Sequence, residues 1–207
     1  LSPGWPISAD PVDSATILPL DLGGGLILHA STVTDAEDAY AVVDAERDRL
    51  REWLPWVDGT ISIGIERDYL RTVELANTSG VGLHTTIRLE GRFSGFVGLR
   101  IDSFRRSAEV GYWLAEHAVG RAVMLRAVAG LFDVGFGVLG LHRLELLAAT
   151  GNHRSRAIAD RLGMTLEGVR REAEELASGY VDLAMYAVLA GDWPGADAVL
   201  AGSAAPT

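Results

Sequence analysis

The chain contains no cysteine and no lysine, all 18 of its basic residues being arginine. The first absence removes thiol nucleophiles, disulfides and thiolate zinc sites. The second removes Schiff-base chemistry, a catalytic lysine and the lysine of a Walker-type phosphate loop. Positive charge is scarce as well: 28 acidic residues against those 18 give a formal net charge of −10, so no nucleic-acid partner is expected. Arg, Asp or Gly interrupts every apolar run before it reaches the roughly 18–20 residues that cross a bilayer, so no membrane role is expected either. The opening residues LSPGWPISADPVD have neither a charged n-region nor an apolar h-region, which makes a cytoplasmic protein the expectation. His29, His84, His117, His142 and His153 lack ligand spacing, so no metal is expected, and no G-x-S-x-G elbow supports a serine hydrolase.

What is present suits one globular domain. The chain has 207 residues, 48% of them hydrophobic and 22% charged, enough to bury a core unaided and too few for several domains. Residues 1–21 hold four of the seven prolines and read as an extended N-terminal segment. Residues 22–194 read as a single domain and residues 195–207 as a flexible tail. The glycine triplet at 23–25 is a turn, since no phosphate-loop pattern follows it. Helical spacing covers about 34–50, using Ala36, Ala39, Val42, Val43 and Leu50, and about 62–77, using Ile65, Tyr69, Leu70, Val73 and Leu75. Period two then gives strands near 82–89, 93–102 and 108–115. A largely apolar helix at 121–138, a strand at 144–149, a short helix at 155–162 and a hairpin over 164–189 complete an α+β order. The prediction is a mostly antiparallel mixed sheet of about seven strands flanked by about four helices.

The junction from 111 to 124, GYWLAEHAVGRAVM, runs from a strand through a short loop into a helix. Such a helix start presents unpaired N–H groups that, with the helix dipole, hold phosphate without lysine. Arg121 adds positive charge there. The residues alone more readily describe an ordinary strand-to-helix connection, since most such junctions bind nothing.

Four stretches in order, LREWLPWV at 50–57, AEVGYWL at 108–114, NHRSRAIADRLG at 152–163, and TLEGVRR at 165–171 followed by GYVD at 179–182, resemble the GNAT superfamily of acyl-CoA-dependent N-acyltransferases. Within it they are most similar to the RimJ/RimL ribosomal-protein N-acetyltransferase branch, and the likeness runs from about 26 to 194. The resemblance implies a three-layer fold whose sheet is splayed between two central strands, with the pantetheine arm of acetyl-CoA or another acyl-CoA in the opening. It implies that backbone groups of Trp113, Leu114 and Ala115 pair with that arm. The loop Val119, Gly120, Arg121, Ala122, Val123 and Met124 would hold the pyrophosphate. That loop departs from the family pattern Gln/Arg-x-x-Gly-x-Gly/Ala: Val119 stands at the Gln/Arg, Ala122 at the central glycine and Met124 at the last position.

The resemblance also places a glutamate base at Glu109 and pantetheine contact at Asn152. Ser155 inherits the role of acid toward the departing thiolate, because the family's tyrosine position is Ala159. Trp53 and Trp56 match an aromatic wall at the acceptor entrance, and Tyr180 and Asp182 would face the acceptor. Read as residues only, Glu109 is also a strand carboxylate balancing Arg105 or Arg106, Ser155 an N-cap and Asn152 a turn residue. Trp53 and Trp56 are also core, and Tyr180 and Asp182 also cross-strand partners. The implied activity is transfer of acetyl, or another short acyl such as succinyl, to a primary amine, either a protein N-terminus or a small cationic amine, in a protein with the option of a homodimer. The alternative is a GNAT-fold acyl-CoA-binding or regulatory protein whose catalysis is weakened or lost through Val119 and Ala122.

Overall fold

The computed structural model describes residues 17–203; most of the expected extended segment, residues 1–16, lies outside them. Eight strands form one sheet: β1 (Leu20–Asp21), β2 (Leu26–Ala30), β3 (Gly82–Leu89), β4 (Arg92–Asp102), β5 (Ser107–Leu114), β6 (Arg143–Ala149), β7 (Thr165–Leu176) and β8 (Gly179–Leu189), ordered β1-β2-β3-β4-β5-β6-β8-β7. Among the described residues six α-helices accompany them: α1 (Ala36–Ala45), α2 (Arg47–Leu50), α3 (Ile63–Ser79), α4 (Val123–Asp133), α5 (His153–Arg161) and α6 (Ala196–Ser203). The architecture is the expected mixed one, with an extra edge strand, β1, at the end of the segment expected to be merely extended.

Strand alternation sorts the core into two layers. Val97 and Leu99 of β4 and Ala108 and Val110 of β5 join the main cluster, which α4 fills with Val123, Leu125, Val128, Leu131 and Phe132. The opposite face gives Phe93 and Trp113 to a second cluster with Ala39, Val43, Leu50 and Val57 of the α1–α2 region. A helix that is apolar nearly all round must be covered on both sides, and α6 covers the outer side of α4. Trp193 and the Ala196 N–H both donate to Asp133 Oδ1, at 2.7 and 3.0 Å, and Ala196 is buried. Of the expected flexible tail, 196–203 thus form a docked helix, which its small, weakly amphipathic residues did not announce, and 204–207 lie outside the described residues.

Two details position the opening. In β4, Ser94 is the extra residue of a bulge, and Gly95 takes φ +128°, where a Cβ would lie 2.2 Å from the Trp113 carbonyl oxygen. Only glycine lets β4 and β5 approach there. The parallel ladder between β5 and β6 then runs only from Ser107↔Arg143 to Val110↔Leu146, while β6 goes on pairing with β8 as far as Ala149↔Leu183. Beyond Val110 the sheet is splayed.

Candidate active site

The splay leaves strand backbone without a strand partner. Ala115 N–H donates to Ser94 O at 2.8 Å, so the alternating main-chain groups of Trp113 and Ala115 point to β4. Those of Tyr112 and Leu114 point into the opening. Of the three residues implied for pantetheine pairing, Leu114 alone presents its backbone there, and Tyr112 joins it. Arg49 donates to Leu114 O at 2.8 Å. Arg49 is also ion-paired with Glu46, whose carboxylate accepts the Glu116 N–H at 3.0–3.1 Å.

The loop after β5 turns through residues 116–118 and enters α4 with Gly120 at φ +79° and Ala122 at φ +53°. Ala122 thus sits in the left-handed region that favours glycine, at a cost of about 1 kcal/mol. No side chain caps α4, and no acidic residue occupies its first turn. The first helical bond is Arg126 N–H to Ala122 O. Among the described residues the N–H groups of Val123, Met124 and Leu125 have no acceptor, the donor set a pyrophosphate fits. Arg121 adds less positive charge than expected, because it pairs with Glu90 at 2.6 Å.

Within the splay, the Tyr112 hydroxyl and Ser155 Oγ are hydrogen-bonded at 2.9 Å. Burial pushes the Tyr112 phenol up to about 12 against the lowering pull of that bond, so it stays protonated at neutral pH. Asn152, not Ser155, is the N-cap of α5: its Oδ1 accepts the Ser155 N–H at 3.1 Å. That cap fixes the start of the helix and leaves the Ser155 hydroxyl for Tyr112 and the opening.

On the α3 side lies a cavity of about 840 Å³, bordered by Trp53, Trp56, Tyr69, Phe96 and Trp113, and also by Glu66, His84, Arg100, Glu109, Tyr112, Asn152, Ser155 and Glu174. Trp56 and Phe96 each pack a ring on Trp113, at centroid distances of 6.1 and 5.7 Å. Glu109 is ion-paired with Arg100 at 2.7 Å, not with Arg105 or Arg106. The His84 imidazole is held below its ordinary pKa by burial and by Arg100. Burial raises the Glu66 carboxyl to about 7.

A family model described as an acetyltransferase (GNAT) domain matches residues 25–165. The chain belongs to this family. Among curated relatives of this GNAT acetyltransferase, the ribosomal-protein-serine acetyltransferase of Escherichia coli (strain K12) is 28% identical over 166 residues, 78% of this chain and 91% of that protein. Two solved structures share the fold. RimL, a ribosomal L7/L12 alpha-N-protein acetyltransferase in complex with coenzyme A, matches with TM-score 0.80 and 24% identity over 83% of this chain and 97% of that one. The microcin C7 self-immunity acetyltransferase MccE, in complex with acetyl-CoA and AMP, matches with TM-score 0.78 and 23% identity over 83% and 96%. Among the described residues no helix is long and apolar enough to cross a membrane.

In this GNAT domain, the structure brings Trp53, Trp56, Trp113, Glu109, Asn152 and Ser155 to one cavity. Tyr180 and Asp182 do not line it. Tyr180 is 65% exposed near the hairpin tip, and Asp182 Oδ1 accepts the Glu172 N–H at 2.8 Å beside an irregularity between β7 and β8. Glu174, Leu176 and Leu183 of the same hairpin do line the cavity, so strand alternation turns Tyr180 and Asp182 to the opposite face, Tyr180 across from Glu175. Two site residues escaped the sequence reading. Tyr112 was legible as a strand residue turned away from Glu109, but its meeting with Ser155 depends on where α5 lands. Glu66 was hidden by a misplaced helix face. The buried stripe of α3 is Glu66, Leu70, Val73 and Asn77, whereas Leu75, placed inside by the spacing, is 68% exposed.

Proposed function

We propose that this protein transfers a short acyl group, acetyl first among them, from acyl-CoA to a primary amine by direct attack within a ternary complex. The observation that carries the reading is the splay itself. It has uncapped helix N–H groups at one end, a half-buried hydroxyl pair inside, and a cavity of about 840 Å³ with carboxylates on its far side. The α4 N-terminus and the Gly120–Ala122 backbone would hold the pyrophosphate, and Tyr112 and Leu114 would pair with the pantetheine arm. When bound, acyl-CoA supplies an activated thioester. Ser155, positioned by Tyr112 and by the Asn152 cap, donates a proton toward the thiolate. Glu109 accepts the proton that the amine must lose, competing with Arg100 for that carboxylate. Trp53 and Trp56 exclude water from the acceptor side, which strengthens every polar contact inside.

Release of CoA thiol tests this without background, because the protein has no cysteine. Incubation with acetyl-CoA or succinyl-CoA and a panel of peptides and small amines is expected to release one thiol per acylated amine. Glu109→Gln is expected to slow the reaction most at low pH, and an unchanged pH–rate profile removes Glu109 as the base. Ala122 at positive φ favours a second reading, an acyl-CoA-binding protein with weak turnover. Tight acetyl-CoA binding with no thiol release across the panel would select it.

A further inference from the structure

Glu66 occupies a place in α3 where the helix otherwise turns Leu70 and Val73 inward, and only 4% of it is exposed. Its polar neighbour on that stripe, Asn77, is satisfied: its Oδ1 accepts the His84 N–H at 2.7 Å and its Nδ2 donates to the His84 carbonyl at 3.0 Å. The Glu66 carboxylate has neither a hydrogen bond nor an ion pair among the described residues, although it borders the cavity. A buried carboxylate without a partner is costly, and such groups are kept where a ligand completes them.

The groups that face it from the surrounding elements do not supply a cation. Tyr69 of α3 lies near enough for Glu66 to raise its phenol further, beyond the effect of burial. From β3 comes His84, whose imidazole is pushed toward the neutral form. Arg100 of β4 is committed to Glu109 of β5, Tyr112 of β5 to Ser155, and β7 contributes another carboxylate, Glu174. The cavity therefore has two acids without a paired base, walled by Trp53, Trp56, Phe96 and Trp113. Negative charge on an aromatic floor selects a cation carried on an apolar body.

We propose that Glu66 is the recognition residue for the acceptor, receiving the protonated head of a primary amine whose apolar body lies against the tryptophans. This rests on the acyl-transfer reading for its biological meaning, but the ammonium site itself is measurable without any acyl-CoA. Its chemistry is shared by two sources, a small arylalkylamine and a peptide N-terminus.

The test is calorimetric titration of the full chain at pH 8 with phenethylamine, with its neutral analogue 2-phenylethanol, and with a Ser-Ala-Ala peptide either free or N-acetylated. Phenethylamine or the free peptide is expected to bind at least tenfold more tightly than its uncharged counterpart, and whichever shows the larger ratio identifies the source. The preference is expected to shrink at pH 6, where Glu66 is protonated, and to vanish in Glu66→Gln, which keeps the side-chain shape. Glu167→Gln, at a carboxylate outside the cavity lining, is expected to leave it intact. Equal binding of charged and neutral probes by the wild type overturns the proposal, as does a preference that survives Glu66→Gln or disappears in Glu167→Gln. An ammonium preference that depends on Glu66, in a protein that releases no thiol from acetyl-CoA, supports the site and overturns acyl transfer instead.

Discussion

The two sides of the splay are built from different materials. Toward the proposed CoA, the donors are main-chain groups: the first turn of α4, the Gly120–Ala122 loop, and the free edge of β5. Toward the proposed acceptor the contacts are side chains, with the accepting carboxylates of Glu66 and Glu109 and a set of aromatic rings around one cavity. Main-chain donors persist when the residue changes, so Val119 and Ala122 depart from the family pattern while the backbone geometry at Ala122 remains that of glycine. A side-chain site has no such tolerance, and one carboxylate there decides what enters.

That contrast breaks most readily where the backbone itself is altered. Gly95→Ala places a Cβ against the Trp113 carbonyl at a φ that L residues rarely adopt. It is expected to destabilise the protein by about 3 kcal/mol or more in urea unfolding, because the bulge that seats β5 must rearrange.

Next in size is Glu66→Gln, expected to stabilise the ligand-free protein. The folded carboxyl sits at about 7 against 4.5 in the unfolded chain, a difference equivalent to about 3 kcal/mol. Because the folded value is the higher, Glu66 takes nothing from the wild type's stability below pH 4.5 and lowers it as pH rises to about 7. The variant's advantage should therefore be absent at pH 4, grow between 4.5 and 7, and level off above. Chemical denaturation across that range checks it, and a constant gap would contradict the assignment.

Ser155→Ala should lower kcat about 100-fold while leaving acetyl-CoA affinity within a few fold, as single-turnover thiol release would measure. The smallest expected effect is at the loop, where Ala122→Gly removes left-handed strain worth about 1 kcal/mol. It should raise Tm and tighten acetyl-CoA modestly, sharpening the claim that the backbone rather than the side chain binds there.

Much of this was legible in the residues. The period-two runs from Val81 to Ala115 locate β3, β4 and β5 to within a residue or two, since each strand has one face in a core layer and must alternate. The junction into α4 was readable because an uncapped helix start follows from Ala122 and Val123 themselves. The acceptor side was less so. On α3 the large residues Ile65, Tyr69 and Leu75 outweigh Glu66 and Asn77 in any apolar count, yet the helix turns the latter pair inward, one to bond the His84 backbone and the other to border a cavity. Tyr180 and Asp182 lie outside the cavity lining because the register of the β7–β8 hairpin, with its irregularities, gives Leu183, Leu176 and Glu174 to that face, and sequence order does not reveal such a register. The Tyr112–Ser155 pair joins residues 43 apart and exists only once β5 and α5 are packed.

The central claim is that a splayed sheet and an uncapped helix suffice to bind acyl-CoA in a chain that has no lysine. Titration calorimetry of the full chain with acetyl-CoA tests it directly. Saturable one-to-one binding, weakened by added salt as a pyrophosphate contact requires and strengthened in Ala122→Gly, is the predicted result; no measurable binding to either protein would contradict it.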